Sequence, residues 1–358
     1  MQTKKVMVAM SGGVDSSVAA YLIKQQALET IGATLKLFNN VDVAVDTAKT
    51  CCSLRDVEDA RAVATRLDIP YYVLNFVDYF KKDVIERFIA SYQAAQTPNP
   101  CIDCNRYIKF EKMLRRAREI GFDYLATGHY AQIEQQAVTG RYLLKKARDI
   151  SKDQTYFLYC LTQAQLAQTI FPLGQLSKQE VRQIARAQNF VTAQKQESQD
   201  ICFVKNSSYV DFIKQYTGEE PPKGEIVDKQ GKVLGEHQGL YAYTIGQRKK
   251  IGLALPTPHY VCAKDMDSNR LIIGSKAELM QKTLIAKDVN LISCATIQGR
   301  VKVLAKARYN QTEQPAWLEQ IDQDSYLVEF EQAQAAITPG QAVVFYQGEY
   351  VLGGGTIC

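Results

Sequence analysis

Residues 4–26 read KKVMVAMSGGVDSSVAAYLIKQQ, and the succession of textures in that stretch decides the fold. A short apolar run of strand length, 4–10, meets a tight turn at Gly12 and Gly13, and a helical spacing of apolar residues follows at once. Glycines let the backbone come close to a bulky anion, and the first amides of a helix offer donors and a favourable dipole end. Ser11, Ser16 and Ser17 add hydroxyl groups. The unit therefore predicts a phosphate cradle between a first strand and a first helix. The bland alternative is a glycine-rich turn with an incidental N-cap serine. The G-x-x-x-x-G-K-[ST] loop and the G-x-G-x-x-G fingerprint do not fit this stretch.

Working outward, IGATLKLF at 31–38 and YYVLNF at 71–76 read as strands, with a helical pattern over 56–69 between them. Tyr107, Phe110, Leu114, Ala117 and Ile120 fall on one helical face, Gly121 is placed to end that helix, and the strand DYLATGH follows. Strands and helices alternating in this way predict a parallel, doubly wound α/β sheet. The texture changes after about residue 205. Gly-Pro punctuation predicts a small α+β central domain up to about 280. The short alternating runs RVKVLAKARY, AWLEQI, SYLVEF, AVVFYQG and YVLGGGTI then predict an antiparallel β-barrel. The expected domains are 1–205, 206–280 and 281–358.

The chain's 358 residues suffice for two or three domains with cores of their own. Its 46% hydrophobic and 23% charged content is that of a globular protein, and its net charge of +5 permits an acidic partner without demanding one. The apolar run near Met1 is too short for a secretion signal, no stretch approaches the ~20 apolar residues of a membrane span, and the expected location is cytoplasmic. Nine cysteines at irregular spacing do not make a disulfide framework.

One cysteine pair carries a signal. Residues 97–105, TPNPCIDCN, display Cys101 and Cys104 behind two prolines, with Cys104 at the start of a predicted helix. A thiol is mostly protonated at neutral pH, and a helix N-terminus with Arg106 and Lys109 nearby is expected to raise the thiolate fraction. Structural zinc fits less well, because no second C-x-x-C exists and His129, His237 and His259 are scattered. A thioredoxin-like dithiol does not explain the phosphate loop, and two merely buried thiols fit poorly with a proline-rich polar turn. Cys202, in ESQDICFV, reads equally as reactive or as a buried strand residue. Cys51 and Cys52 read as packed or capping.

The loop Ser11–Ser17 resembles the SGGxDS pyrophosphate-binding loop of the ATP pyrophosphatase (PP-loop) class. With MSGGVDSSVAA, CCSLRDVEDAR, TPNPCIDCNRYIKF, LATGHYA, KDQTYFL, FPLG, ESQDICFV, YTIGQR, ARYNQTE, TPGQAVVFY and LGGG in order, the chain resembles the tRNA-specific 2-thiouridylase family nearly end to end. That resemblance implies a sulfurtransferase that thiolates C2 of the wobble uridine in tRNAs for Lys, Glu and Gln. Uracil O2 would attack the α-phosphate of ATP, pyrophosphate would leave, and sulfur would then displace AMP. Ala9, Met10, Ser11, Gly12, Gly13, Val14, Asp15 and Ser16 would hold ATP, with Leu35 and Gly128 near the adenosine, and magnesium is expected to offset the phosphate charge. The family places a persulfide at Cys202 and a nucleophile at Cys104, with a Cys104–Cys202 disulfide after turnover. Asn99, Pro100 and Cys101 would border the target base. His129, Lys152, Asp153, Gln154, Arg308, Tyr309 and Gln341 match positions that touch tRNA. The resemblance also implies a sulfur supply from a cysteine desulfurase or a relay protein.

Cys101 departs from family members that carry Asp there, so the same proton transfer does not carry over to it. An alternative treats Cys101, Cys104 and Cys202 as ligands of a [4Fe–4S] cluster whose open iron carries sulfide. Two rival functions are an amide-forming ligase of the same ATP-loop class, which needs no reactive sulfur, and an RNA-binding redox sensor, against which the intact loop speaks. On the basic runs Arg115, Arg116, Arg118 and Arg248, Lys249, Lys250, a solvated face is the plain reading.

Overall fold

Strand β1 (Lys5–Ala9) is apolar on both faces, and Val6, Met7 and Val8 are completely buried, as expected of the middle of a parallel sheet covered on both sides. In this computed structural model, which describes residues 4–39, 54–196, 201–204 and 208–358, β1 pairs in parallel with β2 (Glu29–Lys36), and β2 with β3 (Tyr71–Asn75). On its other side β1 pairs with β4 (Tyr124–Ala126). A hairpin, β5 (Gln132–Gln135) and β6 (Tyr142–Lys145), leaves the layer before β7 (Thr169–Ile170) completes it next to β4. The order β3-β2-β1-β4-β7 reverses direction between β1 and β4, the place where open α/β sheets bind ligands at their C-terminal strand ends. The predicted parallel sheet is therefore present. The expectation for Cys51 and Cys52 lies outside the described residues.

Helices cover both faces. Val14–Gln25 follows the loop and buries Val14, Val18, Ala19, Ala20 and Ile23. Lys178–Ala187 packs against it and starts with a capping box in which Ser177 and Glu180 satisfy each other's backbone amides. On the other face, the continuous helical run 100–119 passes through wide π-type turns at Cys104–Met113 and ends as predicted, with Gly121 in the left-handed region at φ 84°.

The central part carries the α-helix Tyr209–Thr217 and a sheet of β8 (Gly224–Val227), β9 (Val233–His237), β10 (Tyr260–Asp265) and β11 (Arg270–Gly274) in the order β10-β11-β8-β9. Among the described residues the C-terminal part is a closed ring of six antiparallel strands. These are β12 (Met280–Leu291), β13 (Arg300–Lys306), β14 (Gln314–Gln320), β15 (Ser325–Ala335), β16 (Ala342–Gln347) and β17 (Tyr350–Ile357), with β12 pairing β17 to shut the barrel. Closure leaves no bare edge in the ring. The hairpin β5–β6 adds to it from outside, Lys145 opposite Tyr350. No helix among the described residues is long and apolar enough to cross a membrane.

Candidate functional site

Ala9 ends β1, and the chain turns through Ser11-Gly12-Gly13 into the helix Val14–Gln25. The turn is held from within: the Ser11 amide donates to Ser16 Oγ at 3.1 Å, and the Ser16 and Ser17 hydroxyls donate to the Gly13 carbonyl at 3.1 and 2.8 Å. It is also held from below, where Thr34 Oγ1 donates to the Met10 carbonyl at 2.6 Å. Gly12 has φ 71°, and a Cβ there would stand 2.2 Å from the Asp56 carbonyl oxygen. Gly128, just past β4, lies against the same turn; its Cβ would meet Asp15 C and Ser16 N at 2.9 Å. Leu35 lies near the end of β2. The residues from Ala9 to Ser16, Leu35 and Gly128 thus gather at one C-terminal sheet edge, around amides at a helix start.

Three side chains to which the sequence assigns no role at this loop surround it. Lys178 Nζ lies 2.8 Å from both carboxylate oxygens of Asp15, and Tyr130 donates its hydroxyl to Asp15 Oδ1 at 2.8 Å. Lys195 Nζ donates to the Gly12 carbonyl at 2.9 Å and to Asp56 and Asp59 at 2.6 and 2.5 Å. Burial works against the Lys195 charge, yet the bonds to Asp56 and Asp59 hold its pKa above the ordinary lysine range. Asp56 and Asp59, three apart on the helix Leu54–Arg66, were the one clue available for a cation at that position.

The second half of the site is the start of helix 100–119. Asn99 caps it by accepting from the Cys101 amide at 3.2 Å, with Pro100 at the first helical position. The helix therefore begins at Pro100, and Cys104 lies one turn inside it. Cys101 is exposed, Cys104 buried and Cys202 half-buried. The expectation of an activated thiolate at Cys104 is corrected. Burial pushes its pKa up, Lys109 opposes this, and Asp103 adds to it. The thiol stays protonated because the helix start gives way to a desolvated core position. Cys104 forms no disulfide with Cys202 in this structure.

The two halves meet at His129. Its Nδ1 is 2.7 Å from Thr127 Oγ1, and its ring rests 5.9 Å from Phe110 of the cysteine helix. Burial lowers the His129 pKa well below the usual range, with the Lys109 charge adding to the effect, so the imidazole is neutral. Lys109, bonded to Asn105 Oδ1 at 2.9 Å, acts on both Cys104 and His129. The phosphate-loop edge and the cysteine helix therefore both abut the turn Gly128-His129, the loop through Asp15 and Ser16 and the helix through Phe110.

The remaining expected tRNA positions are already engaged within the chain. The buried Asp153 carboxylate accepts from the Ala147 amide at 2.9 Å and the Thr155 hydroxyl at 2.5 Å, and Gln154 Oε1 accepts from the Tyr130 amide at 2.9 Å. Lys152 ends the turn Ile150–Lys152. Arg308 donates to the carbonyls of Ile245 and Ala336 and to Thr338, binding the central part to the barrel. Tyr309 lies 4.4 Å from the Phe157 ring, and Gln341 donates to the Thr97 and Pro98 carbonyls. Arg115, Arg116, Arg118, Arg248, Lys249 and Lys250 are exposed. His237 is a fully buried histidine: its Nδ1 accepts from the Gly239 amide and its Nε2 donates to the Asn269 carbonyl.

Among the described residues, no three His, Cys, Asp or Glu side chains come together as a metal site. Cys101, Cys104 and Cys202 are all described, so this conformation does not form the cradle that a [4Fe–4S] cluster requires.

Three family models match in succession: a "tRNA methyl transferase HUP domain" over residues 4–206, a "tRNA methyl transferase PRC-barrel domain" over 210–275 and an "Aminomethyltransferase beta-barrel domain" over 281–357. The "tRNA-specific 2-thiouridylase MnmA" of Clostridioides difficile (strain 630) is 49% identical over 99% of this chain and 98% of its own length. The protein of the same name from Moorella thermoacetica is 51% identical over 98% of each chain. With a PP-loop sheet, a cysteine-bearing helix beside it and relatives matching along almost the whole length, the chain belongs to the tRNA-specific 2-thiouridylase family.

Proposed function

We propose that this chain catalyses ATP-dependent 2-thiolation of uridine in tRNA. The observation that carries this reading is the turn Gly128-His129, which touches the phosphate-binding loop on one side and the helix bearing Cys101 and Cys104 on the other. An amide-like carbonyl oxygen is a poor leaving group, so sulfur cannot replace it directly. Adenylation of uracil O2 at the α-phosphate of ATP, with loss of pyrophosphate, converts that oxygen into part of AMP. The helix-start amides beyond Gly13 stabilise the phosphate charge, and Ala9 to Ser16 hold the nucleotide with Leu35 and Gly128 near the adenosine. Magnesium, when bound with ATP, supplies further neutralisation of phosphate charge.

In this reading the terminal sulfur of a Cys202 persulfide attacks C2 and AMP departs. Cys104 then attacks the Cys202 sulfur as its thiolate, the thiol proton ending on the 2-thiouracil that is released, and the resulting Cys104–Cys202 disulfide is reduced by an external thiol. The substrates are the wobble uridines of the tRNAs for Lys, Glu and Gln, recognised through Asn99, Pro100 and Cys101 at the base. His129, Lys152, Asp153, Gln154, Arg308, Tyr309 and Gln341 serve the rest of the tRNA, those already engaged exchanging partners on docking. A cysteine desulfurase or a relay protein supplies the sulfur. Residues 1–205 form the catalytic domain, 206–280 the central tRNA-contacting domain and 281–358 the barrel.

The test is mass spectrometry of the wobble nucleoside after incubation with ATP, unmodified tRNA and a sulfide source, aerobically and anaerobically, with iron and sulfide analysis of the same protein. Iron-free protein that makes 2-thiouridine supports the persulfide route. Activity that tracks bound iron turns the reaction over to the [4Fe–4S] alternative on Cys101, Cys104 and Cys202. Pyrophosphate release without sulfur in the RNA points to an amide ligase.

A further inference from the structure

The short strap 95–99 joins the helical run ending at Gln93 to the helix that carries Cys101 and Cys104. Its first residues stay tied to the run ending at Gln93, the Ala95 and Gln96 amides donating to the Tyr92 and Ser91 carbonyls at 2.9 Å, and two other parts of the chain hold it from outside. On the barrel side the Thr97 amide donates to the Pro339 carbonyl at 2.9 Å, and Gln341 Nε2 donates to the Thr97 carbonyl at 2.7 Å and the Pro98 carbonyl at 3.3 Å. Gly340 lies so close that a Cβ there would stand 2.9 Å from the Thr97 nitrogen. On the central side Lys264, in β10, donates its ammonium to the Ala95 carbonyl at 3.1 Å.

Packing alone does not fix the strap. Gln96, Pro98 and Asn99 line a cavity of about 310 Å³, which the strap shares with Arg87, Asp103 and Arg106. The Thr97 hydroxyl is buried and has no hydrogen-bond partner. A segment with a void on one side and an unsatisfied hydroxyl keeps its place through the few polar bonds it does make. Among these, the Lys264 bond is the charged one, made by a half-buried ammonium that gives up part of its hydration to reach the Ala95 carbonyl. It is well placed electrostatically, since Ala95 lies just beyond a helix C-terminus, where exposed carbonyls favour a cation. Asn99, at the other end of the strap, is the cap that sets the direction of the cysteine helix.

We propose that Lys264 is a positioning residue for sulfur transfer: by gripping the Ala95 carbonyl it sets the strap 95–99, and through the Asn99 cap the placement of Cys101 and Cys104, from the central part of the chain. The inference rests on the thiolation reading for its chemical consequence. Its structural consequence stands apart from that reading and is measured separately.

The experiment uses the full chain with Lys264→Met, Lys264→Gln and Lys264→Arg. In single turnover with ATP, tRNA and a sulfide source, Lys264→Met is expected to lower the rate of 2-thiouridine formation about tenfold, since small misplacements of reacting groups have costs of that order or larger. ATP-dependent pyrophosphate release and tRNA affinity should stay within about twofold, and Lys264→Arg should recover most of the rate. A merely structural role would lower all three activities together, and that result, or wild-type thiolation in Lys264→Met, overturns the proposal. Amide hydrogen exchange gives the second readout, which needs no turnover: residues 96–104 should exchange several-fold faster in Lys264→Met, or in Lys264→Gln if the Met variant does not fold, while residues 11–17 stay as in the wild type. Unchanged exchange at 96–104 overturns the proposal even if the thiolation reading holds. Faster exchange there in a protein that never makes 2-thiouridine upholds the strap and removes only the chemical reading.

Discussion

Lys178 Nζ and the Asp15 carboxylate face each other with both N–O distances at 2.8 Å, one residue into the helix whose N-terminus serves the phosphate loop. An uncompensated carboxylate beside a site for a polyanion would repel it. Lys178→Met is therefore expected to raise the KM for ATP and to slow pyrophosphate release by about 10–100-fold, with tRNA affinity little changed. Steady-state pyrophosphate release and a filter-binding titration check this, and unchanged ATP kinetics would remove Lys178 from the site.

Gly12 tolerates no side chain. Its left-handed backbone strains any other residue, and a Cβ would collide with the Asp56 backbone at 2.2 Å. Gly12→Ala should abolish ATP-dependent pyrophosphate release, by at least about 100-fold, and cost about 1–3 kcal/mol of stability. Calorimetry separates the two effects: an intact melting transition with no release places the damage in the loop itself.

The thiols should differ in reactivity. Cys101 is exposed, whereas burial keeps the Cys104 thiol protonated. Iodoacetamide at neutral pH is expected to label Cys101 at least about tenfold faster than Cys104, with the Cys104 rate climbing as pH rises. Peptide mass spectrometry over time reads both, and equal labelling at pH 7 would return Cys104 to the activated state that its place near a helix start first suggested. Cys104→Ser and Cys202→Ser should each stop sulfur incorporation while pyrophosphate release continues.

Asp103 carries a burial cost that depends on pH. Desolvation raises its carboxyl to about 6, against the pull of Arg87 and Arg106 and with a push from Asp83. A carboxyl raised in the folded state binds more protons there than in the unfolded chain between about pH 4 and 6. Its destabilising effect is therefore absent below about pH 4, grows through that window and is complete above it. Asp103→Asn should raise the melting temperature by a few degrees at pH 7–8 and lose that advantage at pH 4. A difference that stays constant across the range would contradict the assignment.

The legible parts of the sequence were those in which one local pattern implies one backbone. KKVMVAM, the Gly-Gly turn and the helix after it sufficed for the parallel sheet, because a strand buried on both faces and a phosphate turn each leave a local signature. Tyr107, Phe110, Leu114 and Ala117 gave the cysteine helix for the same reason. Strand β12 and the hairpin β5–β6 went unread, since their residues are mostly polar or half-exposed and draw their pairing from strands far along the chain. The site divided in the same way. Gly12 and Ser16 were legible as a loop, but Tyr130, Lys178 and Lys195 reach Asp15 and the Gly12 carbonyl only after folding brings together positions more than 100 residues apart. The state of Cys104 was misread because a thiol's ionisation depends on burial, which sequence spacing does not report.

The ribbon β5–β6 finds its partner in β17, with Lys145 opposite Tyr350, the Lys146 amide on the Glu349 carbonyl and the Tyr350 hydroxyl on Glu134. On a ribosome adding ~5–20 residues each second, that ribbon emerges roughly 10–40 s before the strand it needs. A two-stranded ribbon alone is barely stable in water. Maturation of this ribbon thus waits on residues 350–357, and a nascent chain stalled before them would hold a strand edge open to chaperones and to other chains.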